Sequence, residues 1–310
     1  MVFPKIHSIN QKIELDLLIE KGVSLYLKRE DQSHPLYGGN KVRKLKYHVL
    51  ETIKNKDAHF LTFGGAWSNH IYASAAFFNE IGRPIIGVIR GEEPKKYSDT
   101  LLFAQKMGMH LHFISRSEYR RKYDDDFLEE LQSKFNNPVI IPEGGSGELG
   151  VRGCTEILTT EDSQFDYIAS GVGTGGTIAG VTLSLLPHQH SIAFSALKGG
   201  GFLKDDIGKL MNHYSDEYPV DDLKKQLILQ TDYHFGGFAK STPELIKFMK
   251  EFYLQTNIKL DHIYTAKMLF GLMDMIKNNY FAEGSKILAI HTGGQQGLKG
   301  LELRIGERVF

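Results

Sequence analysis

Short apolar runs that end in glycine clusters are the feature that most restricts how this chain can fold. HFLTF (His59–Phe63) runs into Gly64-Gly65, FDYIA (Phe165–Ala169) into the glycines of 171–176, and ILAI (Ile287–Ile290) towards Gly293-Gly294. Runs this short and this apolar read as strands buried on both faces. The first two are followed by helical patterns, Ser68–Ile81 and Thr177–Leu186, while Ile85–Ile89 and Leu111–Ile114 add further strand candidates. Strand, glycine turn and helix, repeated without a fixed period, predict an α/β chain on parallel sheets and not a solenoid. Ligands of such sheets bind beyond the carboxyl ends of the strands, where these turns lie.

The totals narrow the class. A chain of 310 residues suffices for one large domain or two ordinary ones. Lys and Arg number 37 and so do Asp and Glu, which argues against a dedicated nucleic-acid surface or a polybasic membrane surface. A single cysteine, Cys154, excludes an intramolecular disulfide and fits a reducing compartment. The first residues, MVFPKIHSINQKIELD, lack the apolar core of a signal peptide, and no apolar run approaches a membrane span. A cytoplasmic protein with neither nucleic acid nor membrane as partner is expected. SRSEYRRKYDDDFLEELQSK (Ser115–Lys134) reads as a solvated helix. His110 and His112 alternate on one strand face, but the sequence places no third ligand, so a structural pair is expected and no metal. Cys154 reads as an inert buried thiol.

Two stretches carry chemistry. GVGTGGT (Gly171–Thr177) follows a strand and opens a helix, so free N–H groups face outward with no Cβ in the way, an arrangement suited to a phosphate. The spacing also matches G-x-G-x-x-G, but a dinucleotide site needs an acidic residue at the end of the next strand, and SIAFSALKGG has none there. A phosphate monoester fits better, with Thr174 and Thr177 adding hydroxyls; a bare strand–helix turn is the alternative. LYGGNKVRKLKY (Leu36–Tyr47) places Lys41 behind two glycines and an asparagine, without P-loop spacing. A helix start there, with Arg43 and Lys44 alongside, disfavours a charged ammonium, and a neutral amine is what Schiff-base chemistry requires. A lysine in a first helical turn is ordinarily just solvated. A phosphate cradle and a neutralised lysine in one chain point jointly to pyridoxal phosphate.

These residues resemble the tryptophan-synthase-β-like (fold type II) pyridoxal-phosphate enzymes, and within them the 1-aminocyclopropane-1-carboxylate (ACC) deaminase/D-cysteine desulfhydrase family. The resemblance runs, in order, through YLKREDQSHPLYGGNKVRKL, TFGGAWSNHIYASAAFFNEIG, IPEGGSGELGVRG, GVGTGGTIAG, YTAKMLFGL and HTGGQQG. It implies two α/β domains with pyridoxal 5'-phosphate between them. The larger would join 1–47 with 156–310, the smaller would be 48–155, and a homodimer is expected. It implies Lys41 as the Schiff-base lysine, Asn69 at the cofactor's 3-hydroxyl, Gly173, Thr174, Gly175, Gly176 and Thr177 at its phosphate, and Thr292 at its pyridine nitrogen. Ser68, Asn69, His70, Tyr264 and Phe238 would line the substrate, with Lys41, Ser68 and Tyr264 catalytic. Ser68 also reads as a helix N-cap, and both roles can hold at once.

Departures from the deaminases discriminate within that family. Deaminases are expected to follow the tyrosine with glutamate and to read HLGG later; here Thr265 and Thr292 stand at those places, and His70 replaces a glutamine. A hydroxyl at the pyridine nitrogen leaves the ring a weaker electron sink, sufficient to expel a thiolate. Phe238, in FGGFAK, aligns with a second family tyrosine, so a phenol is missing. The expected activity is β-elimination from a small amino acid, D-cysteine giving pyruvate, ammonia and sulfide. ACC deamination and a non-catalytic binding protein on the same scaffold are the alternatives.

Overall fold

The apolar runs become strands of two separate sheets in a computed structural model that describes residues 3–4, 6–52 and 54–310. The strands are β1 (Asn10–Ile13), β2 (Ser24–Lys28), β3 (Phe60–Gly64), β4 (Ile85–Arg90), β5 (His110–Ile114), β6 (Val139–Ile141), β7 (Tyr167–Val172), β8 (His190–Ser195), β9 (Leu227–Gln230) and β10 (Lys286–Ile290). The larger sheet has the order β1-β2-β10-β7-β8-β9 and the smaller β5-β4-β3-β6. Among the described residues only the β1–β2 pair is antiparallel. Apolar side chains cover both faces of each sheet, which is why the strands read as continuous apolar runs. The α/β parallel-sheet expectation therefore holds. Among the described residues no helix is long and apolar enough to cross a membrane.

Local expectations shift where burial and pairing part company. Phe165 is fully buried, yet it closes a 3-10 turn (Thr160–Gln164), so β7 begins two residues later than its apolar run. The helix expected at Thr177–Leu186 runs Gly176–Leu183 and stops ahead of Pro187. Ser115–Lys134 is two helices, Arg116–Arg120 and Asp125–Lys134, parted at Arg121–Asp124, and Tyr119, Phe127 and Leu131 are buried. The reading of one solvated helix is thus corrected: the capping box at Ser115 starts the first, and apolar residues seat both. His110 and His112 both lie against the Phe135 ring, at centroid distances of 6.2 and 5.1 Å.

Three helices set the site. Asn40–Glu51, Glu148–Thr155 and Gly176–Leu183 pack so closely that backbone meets backbone. A Cβ on Gly153 would collide with the Arg43 carbonyl, and one on Gly180 would lie 2.5 Å from the Cys154 Cβ. Cys154 is sealed in this seam, and burial holds its thiol above the ordinary value. The first helix is pinned further by Arg43, whose guanidinium donates to both oxygens of fully buried Glu30 at 2.6 and 2.7 Å and to the Glu156 carbonyl at 2.8 Å. Buried pairs of this kind recover their desolvation cost only with such geometry, so they fix position more than they stabilise.

Gly153→Ala tests the seam. Alanine is the better helix former by about 1 kcal/mol, whereas overpacking costs about 1–3 kcal/mol. A lowered urea midpoint is expected; an unchanged or raised one would show that the helices do not touch there.

Candidate active site

Four basic residues crowd the helix Asn40–Glu51, and they divide into two kinds. Arg43 has Glu30, and Lys46 has Glu156 at 2.6 Å. Lys41 and Lys44 form no ion pair among the described residues; Lys41 Nζ donates to Asn40 Oδ1 at 3.0 Å and Lys44 Nζ to Ser146 Oγ at 3.0 Å. Lys44 reaches the glycine loop that joins β7 to the helix Gly176–Leu183, its Nζ lying 3.2 Å from where a Cβ on Gly176 would be. Asn40 Nδ2 donates to Thr177 Oγ1 at 2.7 Å, so one asparagine joins Lys41 to the loop. Ser146 also hydrogen-bonds the Thr174 hydroxyl, joining Lys44 to it.

Burial, and then the charge of Lys44, bring the Lys41 pKa down to about 7. Burial also lowers that of Lys44, which is 2% exposed. His70 and His48 lie in the same group. Burial first, with Lys41 and Lys44 adding repulsion, holds His70 far below its ordinary value; burial brings His48 down to about 4. His70 is 2% exposed, its Nε2 is 2.7 Å from Thr62 Oγ1, and its Nδ1 has no partner. The imidazole is thus a neutral support beneath the site with little surface to offer a substrate.

The remaining expected residues converge on the same place. Tyr264 lies along the end of β7, where a Cβ on Gly173 would come 2.8 Å from its hydroxyl oxygen. Burial, and then the charges of Asp261 and Glu143, raise its phenol. Phe238 is 48% exposed, and its ring meets that of Tyr264 at 6.1 Å, edge to face. The Phe238 loop is held by buried Lys267, which donates to the His234 and Gly237 carbonyls at 2.8 Å each. The Thr292 carbonyl accepts the Asn40 N–H at 3.4 Å, which places HTGG against the start of the lysine helix. Asn69 accepts from Gln296 Nε2 at 2.8 Å. Ser68 caps the helix Asn69–Glu80, accepting from the Ile71 N–H at 3.2 Å.

Four residues were not foreseen at the site: Asn40, Lys44, Ser146 and Asp261. The first three lay inside quoted motifs, but nothing in the sequence aimed them at the loop. Asp261 is 1% exposed and accepts from the Ile263, Tyr264 and Thr265 N–H groups and, at 2.6 Å, from the Thr265 hydroxyl. Thr265, fully buried, is therefore committed to this carboxylate, which sets the turn that carries Tyr264.

The donor set fits a phosphate-bearing aldehyde. Lys44 is a buried amine whose hydrogen-bond partner is a hydroxyl, and Gly176 leaves open a space where a Cβ would lie 2.9 Å from Ser146 Oγ. Beside them, the first turn of a helix leaves N–H groups without intrahelical partners. Comparison with known proteins agrees. The family model described as pyridoxal-phosphate dependent enzyme matches residues 12–293, and the chain belongs to that family. It is 30% identical over 304 residues to a putative ACC deaminase of Pyrococcus horikoshii, covering 95% of this chain and 93% of the relative. It is also 30% identical over 304 residues to a mitochondrial bifunctional D-cysteine desulfhydrase/ACC deaminase of Arabidopsis thaliana, covering 90% and 74%. A D-cysteine desulfhydrase of Yersinia pestis is 24% identical over 314 residues, covering 96% and 95%. The crystal structure of an ACC deaminase homologue superposes with a TM-score of 0.81 at 27% identity, covering 98% of this chain and 95% of that one. The protein is a pyridoxal-phosphate-dependent enzyme of the ACC deaminase/D-cysteine desulfhydrase group.

A pKa of about 7 at Lys41 has a measurable consequence. Imine formation needs the neutral amine, which increases as pH rises through the pKa. Uptake of pyridoxal, which lacks the phosphate and its titration, by cofactor-free protein should accelerate with pH and level off above about pH 8, one unit past that value. A rate that climbs steadily towards ~10.4, the value of a solvated lysine, would contradict the assignment.

Proposed function

We propose that the enzyme eliminates a β-substituent from a small amino acid, with D-cysteine giving pyruvate, ammonia and sulfide. The observation that carries this reading is the pairing of Lys41, with its pKa lowered to about 7, with a hydroxyl-lined phosphate cradle at Lys44, Ser146 and Thr174. When bound, pyridoxal phosphate supplies an electron sink for the substrate's α-carbon. The chain does the rest. Lys44, Ser146, Thr174 and the free N–H groups of Gly173–Thr177 hold the phosphate. Asn40 orients Lys41 Nζ, and that amine, with a pKa near 7, is substantially unprotonated at neutral pH and so available to accept the α-proton. Ser68 uses a lone pair on the Ile71 N–H, which leaves its own proton to donate to a substrate carboxylate. Asn69 adds a donor for the cofactor's 3-hydroxyl.

Choice of substrate turns on three side chains. The Thr265 hydroxyl is occupied by Asp261, so no free carboxylic acid stands where a deaminase is expected to present one. Thr292 is the pyridine partner in this reading, and a neutral hydroxyl leaves the ring largely unprotonated. Phe238 replaces a phenol with an apolar edge against Tyr264. Together they favour a substrate with a good leaving group over an unactivated cyclopropane. The relatives' names support the class and divide over the substrate. We further propose two domains, 1–47 with 156–310 and 48–155, assembling as a homodimer. The helix Asn40–Glu51 crosses the first of these boundaries without a break.

A side-by-side assay of D-cysteine, L-cysteine, β-chloroalanine, serine and ACC for 2-oxo acid release tests this reading. Release from D-cysteine or β-chloro-D-alanine should exceed that from ACC. Faster opening of ACC would overturn the preference while leaving the class intact.

A further inference from the structure

A second constellation lies beside the site and takes no part in the chemistry above. A cavity of about 380 Å³ is walled by Arg90, Arg116, Tyr119, Arg120, Lys122 and Glu143. In a chain of zero net charge, four cations and one anion surround this single space. The anion is already engaged: Glu143 accepts from the Tyr119 hydroxyl at 2.7 Å and pairs with Lys122 at 3.5 Å. Among the described residues Arg90, Arg116 and Arg120 form no ion pair, so three guanidinium groups border the cavity without a counter-charge.

Part of the arrangement is fixed by packing. Tyr119, 3% exposed, is the floor, and Arg90 and Lys122 sit over its ring at 5.8 and 5.2 Å. Arg116 and Arg120 are four apart on one short helix, where like charges repel along a shared face. Only an anion between them turns that repulsion into attraction. The volume lies in the ordinary range of small-molecule sites, ~300–1,000 Å³.

Its position ties it to the site. Arg90 ends β4, and a Cβ on Gly65, in the loop leading to Ser68, would lie 3.5 Å from the Arg90 guanidinium. Glu143 opens the short segment that delivers Ser146 to Lys44, and its charge is felt at Tyr264. The cavity is therefore linked through Arg90 to the loop before Ser68 and through Glu143 to the segment that leads to Ser146.

We propose that this cavity binds a small oxyanion of at least two negative charges, a phosphate or a di- or tricarboxylate, separately from the cofactor cradle. The inference rests on this geometry and not on which amino acid is turned over. The anion has two sources: a charged group at the far end of an acidic substrate, or a free anion that tunes the neighbouring site.

The test titrates citrate and inorganic phosphate into the holoenzyme at constant ionic strength, with the cofactor in place so that the cradle cannot compete. Saturable binding by calorimetry is expected. The double change Arg116→Glu/Arg120→Glu should weaken it about tenfold or more, because each guanidinium contact becomes a repulsion. Both residues are exposed and neither is among the residues that would hold the cofactor, so the yellow colour and the circular dichroism should not change. Arg116→Lys/Arg120→Lys should retain most of the affinity. Anion inhibition competitive with the amino acid assigns the cavity to the far end of a substrate; non-competitive behaviour assigns it to a separate ligand. Absent binding, or equal affinity in wild type and the glutamate variant, overturns the proposal. If the protein takes up no cofactor, which its lack of colour shows beforehand, the citrate comparison on the purified protein decides the matter in the same way.

Discussion

The whole site depends on how closely the helix Asn40–Glu51 approaches its two neighbours. Gly153 and Gly180 remove the side chains that would hold the three helices apart. With larger residues there, Lys41 and Lys44 would stand back from the glycine loop and meet water. Water would restore their ordinary pKa values, and neither a near-neutral amine nor an unpaired buried cation would exist. The Glu30–Arg43 pair fixes the rotation of the same helix. Close approach thus sets position, position sets desolvation, and desolvation sets the chemistry.

Charge is distributed to match. Each basic residue on that helix adds to an unfavourable field at the positive end of the helix dipole. Pairing Arg43 and Lys46 with Glu30 and Glu156 relieves it away from the loop and leaves it unrelieved where an anion belongs. His70 and His48, both held neutral by burial, add no further positive charge. A dianionic phosphate at the cradle would complete this balance, which is the physical content of the fit between residues and cofactor.

Much of this was legible in the sequence, for reasons that differ by residue. Buried strands such as β3 and β10 show because both faces must be apolar, and the Ser68 cap shows because a hydroxyl ahead of an apolar helix has few other uses. Phe165 misled because burial, not pairing, makes a residue apolar. Ser115–Lys134 misled because its charges hid the buried face of Tyr119, Phe127 and Leu131. Lys41 was foreseen from its place behind two glycines and an asparagine. Lys44 was foreseen only as a charge disfavouring that of Lys41, which holds, and not as a partner of the loop; only the fold brings Ser146 and Thr174 to it. Asp261 was missed because it lies outside the glycine and lysine motifs; its carboxylate accepts from the N–H groups of Ile263, Tyr264 and Thr265 and so sets the orientation of Tyr264.

On the proposed function Lys41, and no other lysine of its helix, bonds the cofactor. Borohydride reduction of the holoenzyme followed by peptide mapping decides between the lysines. A single pyridoxyl label on Lys41 is expected, lost in Lys41→Ala together with turnover, while the variant still retains pyridoxal phosphate non-covalently. A label on Lys44 or Lys46 in the wild-type protein would contradict it.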